Sequence, residues 1–181
     1  MDHADHVRLL RKGVVGVIGI WGDLGAGAGA FTRALADLLP AGSTIHAVDT
    51  DRGALAENER AYARFARGRD LSVLRTHAAD FTKEIELGPL DGVVMANSLH
   101  FVKDKGPILA RVRVLLRPHA PLILVEYDAD SGNPWVPYPL SFETWKRVAV
   151  SNGFAEPRLL DAQASRFLRR IYSALTTPTG R

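Results

Sequence analysis

Cysteine is absent from the 181 residues, which removes disulfides, thiolate metal sites and cysteine nucleophiles together. Long hydrophobic runs are missing too. Stretches such as Val14 to Trp21 fall far short of the roughly 20 residues a membrane span needs, and the opening Met1-Asp2-His3-Ala4-Asp5-His6 is too charged for a secretory signal. A cytoplasmic location is expected. His3 and His6 sit with Asp2 and Asp5 at helical spacing, but no third fixed ligand joins them, so a capped, solvated helix end is expected rather than a metal site. Charge of one sign is scarce: the net charge of +3 and the pI near 9.4 leave nucleic acid open as a partner without arguing for it. With 46% hydrophobic residues the chain can bury one core, and its length leaves no room for a second; a single domain over residues 1–181 is expected.

What is present is organised around residues 17–29, where an apolar strand runs into Asp23 and then meets Gly25, Gly27 and Gly29. Ala30 to Leu39 follows with the apolar spacing of a helix. Strand, glycine turn and helix in that order suit a nucleotide or nucleoside, because glycines admit close backbone approach and the helix start points free N–H groups at the ligand. The spacing also fits a dinucleotide fingerprint, so the loop alone is ambiguous. Asp23 discriminates: a carboxylate there would repel a pyrophosphate and attract a cation, which favours a ligand with an ammonium and a sulfonium.

The rest of the chain alternates strands and helices. Asp2 to Lys12 predicts a short helix capped by Asp2 or Asp5. Ser43 to Val48 predicts a second strand ending in Asp49, twenty positions past Gly29, where paired ribose hydroxyls are held in nucleotide folds. Ala54 to Arg67 predicts an amphipathic helix whose Arg60 and Arg64 pair with Glu57. Leu71 to His77 predicts a third strand, with Asp80 and Phe81 just beyond it. Leu90 to Ala96 reads as a central parallel strand covered on both faces, ending in Asn97-Ser98-Leu99-His100-Phe101. A helix over Asp104 to Leu116 and a fifth strand over Leu122 to Tyr127 complete this part. Ends of such strands face one crevice, so Asp23, Asp49 and Asp80 converge on one ligand. Asp128 to Leu140 breaks the rhythm with Gly132, Pro134, Pro137 and Pro139, and reads as a lid or substrate wall carrying Trp135 and Tyr138, or as a loop that these two aromatics pack down. Ser141 opens a further helix. Pro157 to Leu160 and Arg169 to Leu175 predict two terminal strands; with only Ala162 to Leu168 to connect them they must pair antiparallel.

The pattern, with Asp-x-Gly-x-Gly-x-Gly after the first strand, resembles the class I S-adenosylmethionine-dependent methyltransferases from about Val14 to Leu175. It is most similar to their small-molecule branch, of the kind carrying type 11 and type 25 methyltransferase domains. The resemblance implies an α/β fold: a Rossmann-like doubly wound sheet of seven strands, mostly parallel with an antiparallel C-terminal hairpin, and helices on both faces. It also implies S-adenosylmethionine as cofactor. Asp23, Leu24, Gly25, Ala26, Gly27 and Gly29 would wrap its methionine part, Asp49 with Thr50 would bind the ribose, Asp80 and Phe81 would contact the adenine, and Asn97 and Ser98 would line the pocket beneath the sulfonium.

Asn97 is followed by Ser-Leu-His rather than by Pro-Pro and an aromatic, which counts against methylation of base amino groups. Methyl transfer is an in-line displacement, so holding the nucleophile in a dry site is most of the catalysis. Should the acceptor need a base, His100, Glu126 and Tyr138 are the candidates, and His100, Trp135 and Tyr138 the candidate acceptor contacts; His100 also reads as a hydrogen-bonded pocket wall. A magnesium mechanism through Glu126, Asp128 and Asp130 is disfavoured. The basic pI and arginine stripes motivate an RNA methyltransferase as an alternative, the short chain a catalytically silent cofactor-binding protein, and the glycine spacing, last, a dinucleotide oxidoreductase.

Overall fold

The computed structural model describes residues 1–165 and 167–180. Its centre is one seven-stranded sheet in the order β3-β2-β1-β4-β5-β7-β6. The strands are β1 (Ile20–Leu24), β2 (Thr44–Asp49), β3 (Val73–Ala78), β4 (Gly92–Ala96), β5 (Leu122–Tyr127), β6 (Arg158–Ser165) and β7 (Arg169–Thr176). Pairs among β1 to β5 are parallel, whereas β7 runs antiparallel to both β5 and β6. The helices are α1 (His3–Arg11), α2 (Ala30–Leu38), α3 (Arg52–Phe65), α4 (Gly106–Leu115) and α5 (Phe142–Ser151), with a single 3-10 turn at Leu99–Phe101. Among the described residues no helix is long and apolar enough to cross a membrane.

Buried side chains divide between the two faces of the sheet. One cluster joins Leu10 of α1, Phe31 and Leu35 of α2 and Tyr62 of α3 to Ile45, Val94 and Ile123. The other joins Ile108 and Val112 of α4 and Trp145 of α5 to Val93, Met95 and Leu124. Strand β4 contributes to both and is buried along its whole length, as its unbroken apolar run requires of a central parallel strand. Helix starts are closed locally: Asp2 and Asp5 cap α1 reciprocally, Asp51 accepts from Gly53 and Ala54 at the start of α3, and Ser141 accepts from Thr144 at the start of α5.

Two expected boundaries move by three residues or more. Strand β1 begins at Ile20, and Val15, Val17 and Ile18 stand exposed before it. Its neighbour β2 begins at Thr44, opposite Ile20, so nothing lies alongside the earlier residues to pair with them. Strand β6 runs on to Ser165 through residues expected to be connector. A bulge between Leu159 and Asp161 shifts its register and breaks the alternation by which such a strand is recognised. The expected pairing of Arg60 and Arg64 with Glu57 is present, at 2.9 and 3.0 Å.

Register places Trp21 of β1 opposite Gly92 of β4, and the buried indole covers the glycine so closely that an added Cβ would fall 2.5 Å from Trp21 Cζ3. Gly92→Ala therefore overpacks the sheet centre. It should lower stability by about 1–3 kcal/mol, read as a fall in urea midpoint with the denaturant slope unchanged.

Candidate functional site

Strand β1 pairs with β2 on one side and β4 on the other, so chain order reverses between β1 and β4 and a crevice opens at their carboxyl ends. The glycine loop fills one lip. Gly25 adopts φ 81° and Gly29, the N-cap of α2, φ 79°, a region that side chains with a Cβ adopt at a cost. Space demands glycine as well: a Cβ on Gly25 would collide with Ser98, and one on Gly29 with Asn58. Ser98, just past β4, donates to the Leu24 carbonyl at 2.7 Å and so ties the two lips together.

Asp49, at the end of β2, is oriented by backbone: Gly27 N–H donates to its Oδ2 at 2.8 Å and Asp51 N–H to its Oδ1 at 2.9 Å. Thr50, beside it, is exposed. Asp80 beyond β3 accepts from the Thr82 hydroxyl at 2.6 Å and the Thr82 N–H at 2.9 Å, bonds that hold its carboxyl below the usual carboxylate range. Phe81 lies against Gly25 and lines, with Leu24, Ile85, Val112, Val114 and Leu115, a mainly apolar cavity of about 500 Å³. Asn97 takes a left-handed conformation, φ 54°, and its Oδ1 is buried without a hydrogen-bond partner among the described residues.

Asp23 does not stand open in the loop. As a paired residue of β1 it is 1% exposed, its Oδ2 accepts from the Thr32 hydroxyl at 2.6 Å, and that hydroxyl accepts from Asn58 Nδ2 at 3.0 Å. Burial pushes the Asp23 carboxyl up to about 6, with the Thr32 bond opposing and the Asp49 charge adding to the rise. The carboxylate borders a second cavity, of about 290 Å³, whose walls include Gly25, Ala26, Asn97, His6 and Arg33.

His100 and Glu126, proposed separately from sequence, form one unit. The Nδ1 of His100 lies 3.0 and 3.1 Å from the two Glu126 oxygens, and both residues are buried. A carboxylate only accepts, so Nδ1 carries the proton, and in the neutral ring Nε2 then presents a lone pair; among the described residues the hydrogen bonds of the His100 ring are those of Nδ1 to Glu126. Glu126 also accepts from the Tyr127 N–H at 2.7 Å. Tyr138 joins through its backbone, its N–H donating to the His100 carbonyl at 2.9 Å and its carbonyl accepting from Lys105 Nζ at 2.9 Å.

Trp135 and Tyr138 do not pack the proline-rich loop down. Buried Val136 and Leu140 do that, while both aromatics are exposed. Asp130 and Asp128, considered for magnesium, instead hold the start of α5: Ser141 donates to Asp130 and the Phe142 N–H to Asp128 at 2.9 Å. Among the described residues no group of three or more His, Asp or Glu side chains is arranged for a metal ion.

Sequence reasoning missed His6, Arg33, Thr32 and Asn58. His6 was expected at a solvated helix end, yet α1 packs on α2 so that the His6 ring lies 4.8 Å from that of Phe31 and faces the smaller cavity. His3 bonds Asp37 at 2.6 Å. The available signal was the helical spacing of His6 from Val7 and Leu10, which places it at the margin of the buried face of α1.

Residues 23–122 match a family model described as a methyltransferase domain, of type 12. No curated protein sequence matches the chain significantly. Solved structures are similar in fold at low identity. YcgJ from Bacillus subtilis superposes with a TM-score of 0.77 at 13% identity, over 99% of this chain and 100% of that one. The 1,6-didemethyltoxoflavin-N1-methyltransferase of Burkholderia thailandensis, solved with 1,6-didemethyltoxoflavin and S-adenosylhomocysteine, gives 0.74 at 18% identity over 98% and 78% of the two chains. A SAM-dependent methyltransferase from Aquifex aeolicus gives 0.74 at 16% identity over 97% and 90%. The family match starts at buried Asp23 and runs through the glycine loop and the carboxyl ends of β1 to β4 to the first residue of β5, so the chain belongs to the class I S-adenosylmethionine-dependent methyltransferases, enzymes whose cofactor is S-adenosylmethionine.

Proposed function

We propose that this single-domain enzyme methylates a small-molecule acceptor, with His100 as general base. The observation that carries the reading is the buried His100–Glu126 pair, which presents an unpartnered Nε2 from the turn that follows Asn97. Paired in this way, a neutral imidazole is oriented to take a proton and the resulting imidazolium is stabilised by Glu126.

The donor set fits S-adenosylmethionine, which when bound supplies a methyl carbon on a sulfonium leaving group. Each Asp49 oxygen is committed to one backbone N–H and keeps a lone pair for a ribose hydroxyl. The apolar cavity beside Phe81 suits the faces of an adenine, and Asp80 precedes Phe81 in the chain. The smaller cavity has an anion, Asp23, and two basic side chains, His6 and Arg33, matching an ammonium and a carboxylate. The orphaned Asn97 Oδ1 gives the same region a further acceptor. Leu24, Gly25, Ala26, Gly27, Gly29 and Ser98 shape this wall, and Thr50 lies at the ribose edge.

A small acceptor is favoured over RNA by two observations. Arg60 and Arg64 of the α3 stripe share Glu57 and are not free for phosphates. Two structural neighbours carry the names of small acceptors, 1,6-didemethyltoxoflavin and magnesium protoporphyrin IX.

Removing the Asp49 carboxylate should forfeit two charge-assisted bonds, each worth about 1.5–3 kcal/mol. Asp49→Ala is therefore expected to weaken S-adenosylhomocysteine binding at least about tenfold by calorimetry; equal affinity would overturn the assignment. For Asp23, the unfolded chain releases its proton near 3.8 and the folded apoprotein near 6. The folded state thus binds more protons in that window, and its stability falls as pH rises through it, by up to about 3 kcal/mol. Urea unfolding of the apoprotein at pH 4 and pH 7 should show Asp23→Asn losing less stability than wild type, alongside weaker S-adenosylhomocysteine binding; matching pH slopes would count against a buried, unpaired charge. With an accepted substrate, His100→Ala should cut kcat by about 10²–10⁴-fold and leave S-adenosylhomocysteine affinity intact.

A further inference from the structure

We infer that the acceptor is a planar aromatic or heteroaromatic compound bearing an acidic O–H or N–H, and that Phe101, Tyr127 and Phe167 form the surface on which its ring stacks. This rests on the methyl-transfer reading and names the substrate class of the same site.

Exposed apolar surface is sorted by chemistry across the molecule. Among the described residues the large aromatic side chains left exposed are Phe101 at 61%, Trp135 at 71%, Tyr138 at 41% and Phe167 at 63%. All four belong to segments at the carboxyl end of β4 and β5: the turn after β4, the loop after β5, and the tip of the β6–β7 hairpin, which antiparallel pairing of β7 with β5 brings to the same end. The exposed aliphatics lie elsewhere, with Val15, Val17, Ile18, Ile20 and Val73 at the amino end of the sheet, Leu159 at the start of β6, and Val114 and Val150 on helices. A site for an acyl chain has no need of that separation. A site for a flat ring does, because aromatic faces and edges reward a planar partner beyond the area they bury.

The aromatics also form a continuous path to the base. The Phe101 ring lies 4.3 Å from His100, Tyr127 lies 5.8 Å from His100, and Phe167 lies 6.4 Å from Tyr127, all tilted rather than closed face to face. Tyr138 is tied to the His100 carbonyl by its N–H. A ring resting on this path brings its substituent to Nε2, which offers only a lone pair, so the substituent must be a proton donor.

Acidity narrows the class further. An imidazole has an ordinary pKa of about 6.5 against about 10 for a phenol, a gap that general-base catalysis bridges, whereas an aliphatic alcohol holds its proton far more tightly, as water does. In the transfer the acceptor oxygen or nitrogen gives its proton to Nε2 as its lone pair bonds the methyl carbon. The electron pair of the broken S–C bond stays on sulfur, and the imidazolium returns the proton to water.

The test uses the full-length protein saturated with S-adenosylhomocysteine. Titration with 7-hydroxycoumarin should show binding at least tenfold tighter than that of decahydro-2-naphthol, a saturated bicyclic alcohol. Phe101→Ala and Phe167→Ala, both at exposed positions, should each weaken hydroxycoumarin binding about two- to tenfold while leaving S-adenosylhomocysteine affinity unchanged. Equal affinity for the ring and the saturated alcohol, no hydroxycoumarin binding, or no effect of either substitution overturns the inference. So does binding to phosphatidylglycerol vesicles that both substitutions abolish, which would make the aromatic rim a lipid-facing surface. A protein that fails to bind S-adenosylhomocysteine fails the methyl-transfer reading itself, a separate result.

Discussion

The hydrogen-bond chain from Asn58 through Thr32 to Asp23 is the constraint on which the rest of the site depends. A carboxylate buried in a parallel strand is costly unless it is satisfied, and Thr32 satisfies one of its oxygens from the first turn of α2. That bond fixes where α2 starts. Asn58 then reaches from α3, donates to the same hydroxyl and occupies the space beneath Gly29. Three elements are thereby set against one another, and the glycine loop has no freedom to collapse into the cavity it borders. The remaining electrostatic cost shows in the Asp23 carboxyl, which burial pushes up to about 6.

The two halves of the crevice follow different physics. On the side of β1 to β3 the work is done by carboxylates and backbone N–H groups, with Asp49 and Asp80 clamped by neighbouring amides and a threonine. On the side of β4 and β5 it is done by a buried imidazole–carboxylate pair and aromatic rings. Ser98 belongs to both, since its hydroxyl bonds the Leu24 carbonyl across the crevice while it lies between Asn97 and His100 in the chain. The polar and the aromatic halves of the crevice meet along that seam.

Much of this was legible in the sequence because it is local. The glycine spacing, the aspartates at successive strand ends, the apolar run of β4 and the capping residues each depend on a few adjacent positions, and their recurrence at every strand end identified the fold. The rest depends on tertiary placement. Nothing near His100 announces that Glu126 will be its partner, 26 positions away on the next strand. His6 faces the smaller cavity only because α1 folds back on α2. The start of β1 was misjudged because Val17 and Ile18 are as apolar as strand residues and only the length of β2 leaves them unpaired. The extent of β6 was hidden by its bulge. Asp23 stands out in the sequence ahead of the glycines, but its depth is set by pairing with Ala47 and Val94, which lie on other strands.

The position of β7 carries a consequence for how the enzyme comes into being. Last of the strands in chain order, it is not last in the sheet: it is inserted between β5 and β6. Until β7 has been synthesised, β5 offers an unpaired edge through Glu126 and Tyr127, its partners Tyr172 and Ile171 being still unmade. Strands β1 to β4 have all their mutual partners in the chain well before that. The sheet is therefore closed from within by its last-made strand, and the chain cannot complete its antiparallel half until that strand fills the gap between β5 and β6.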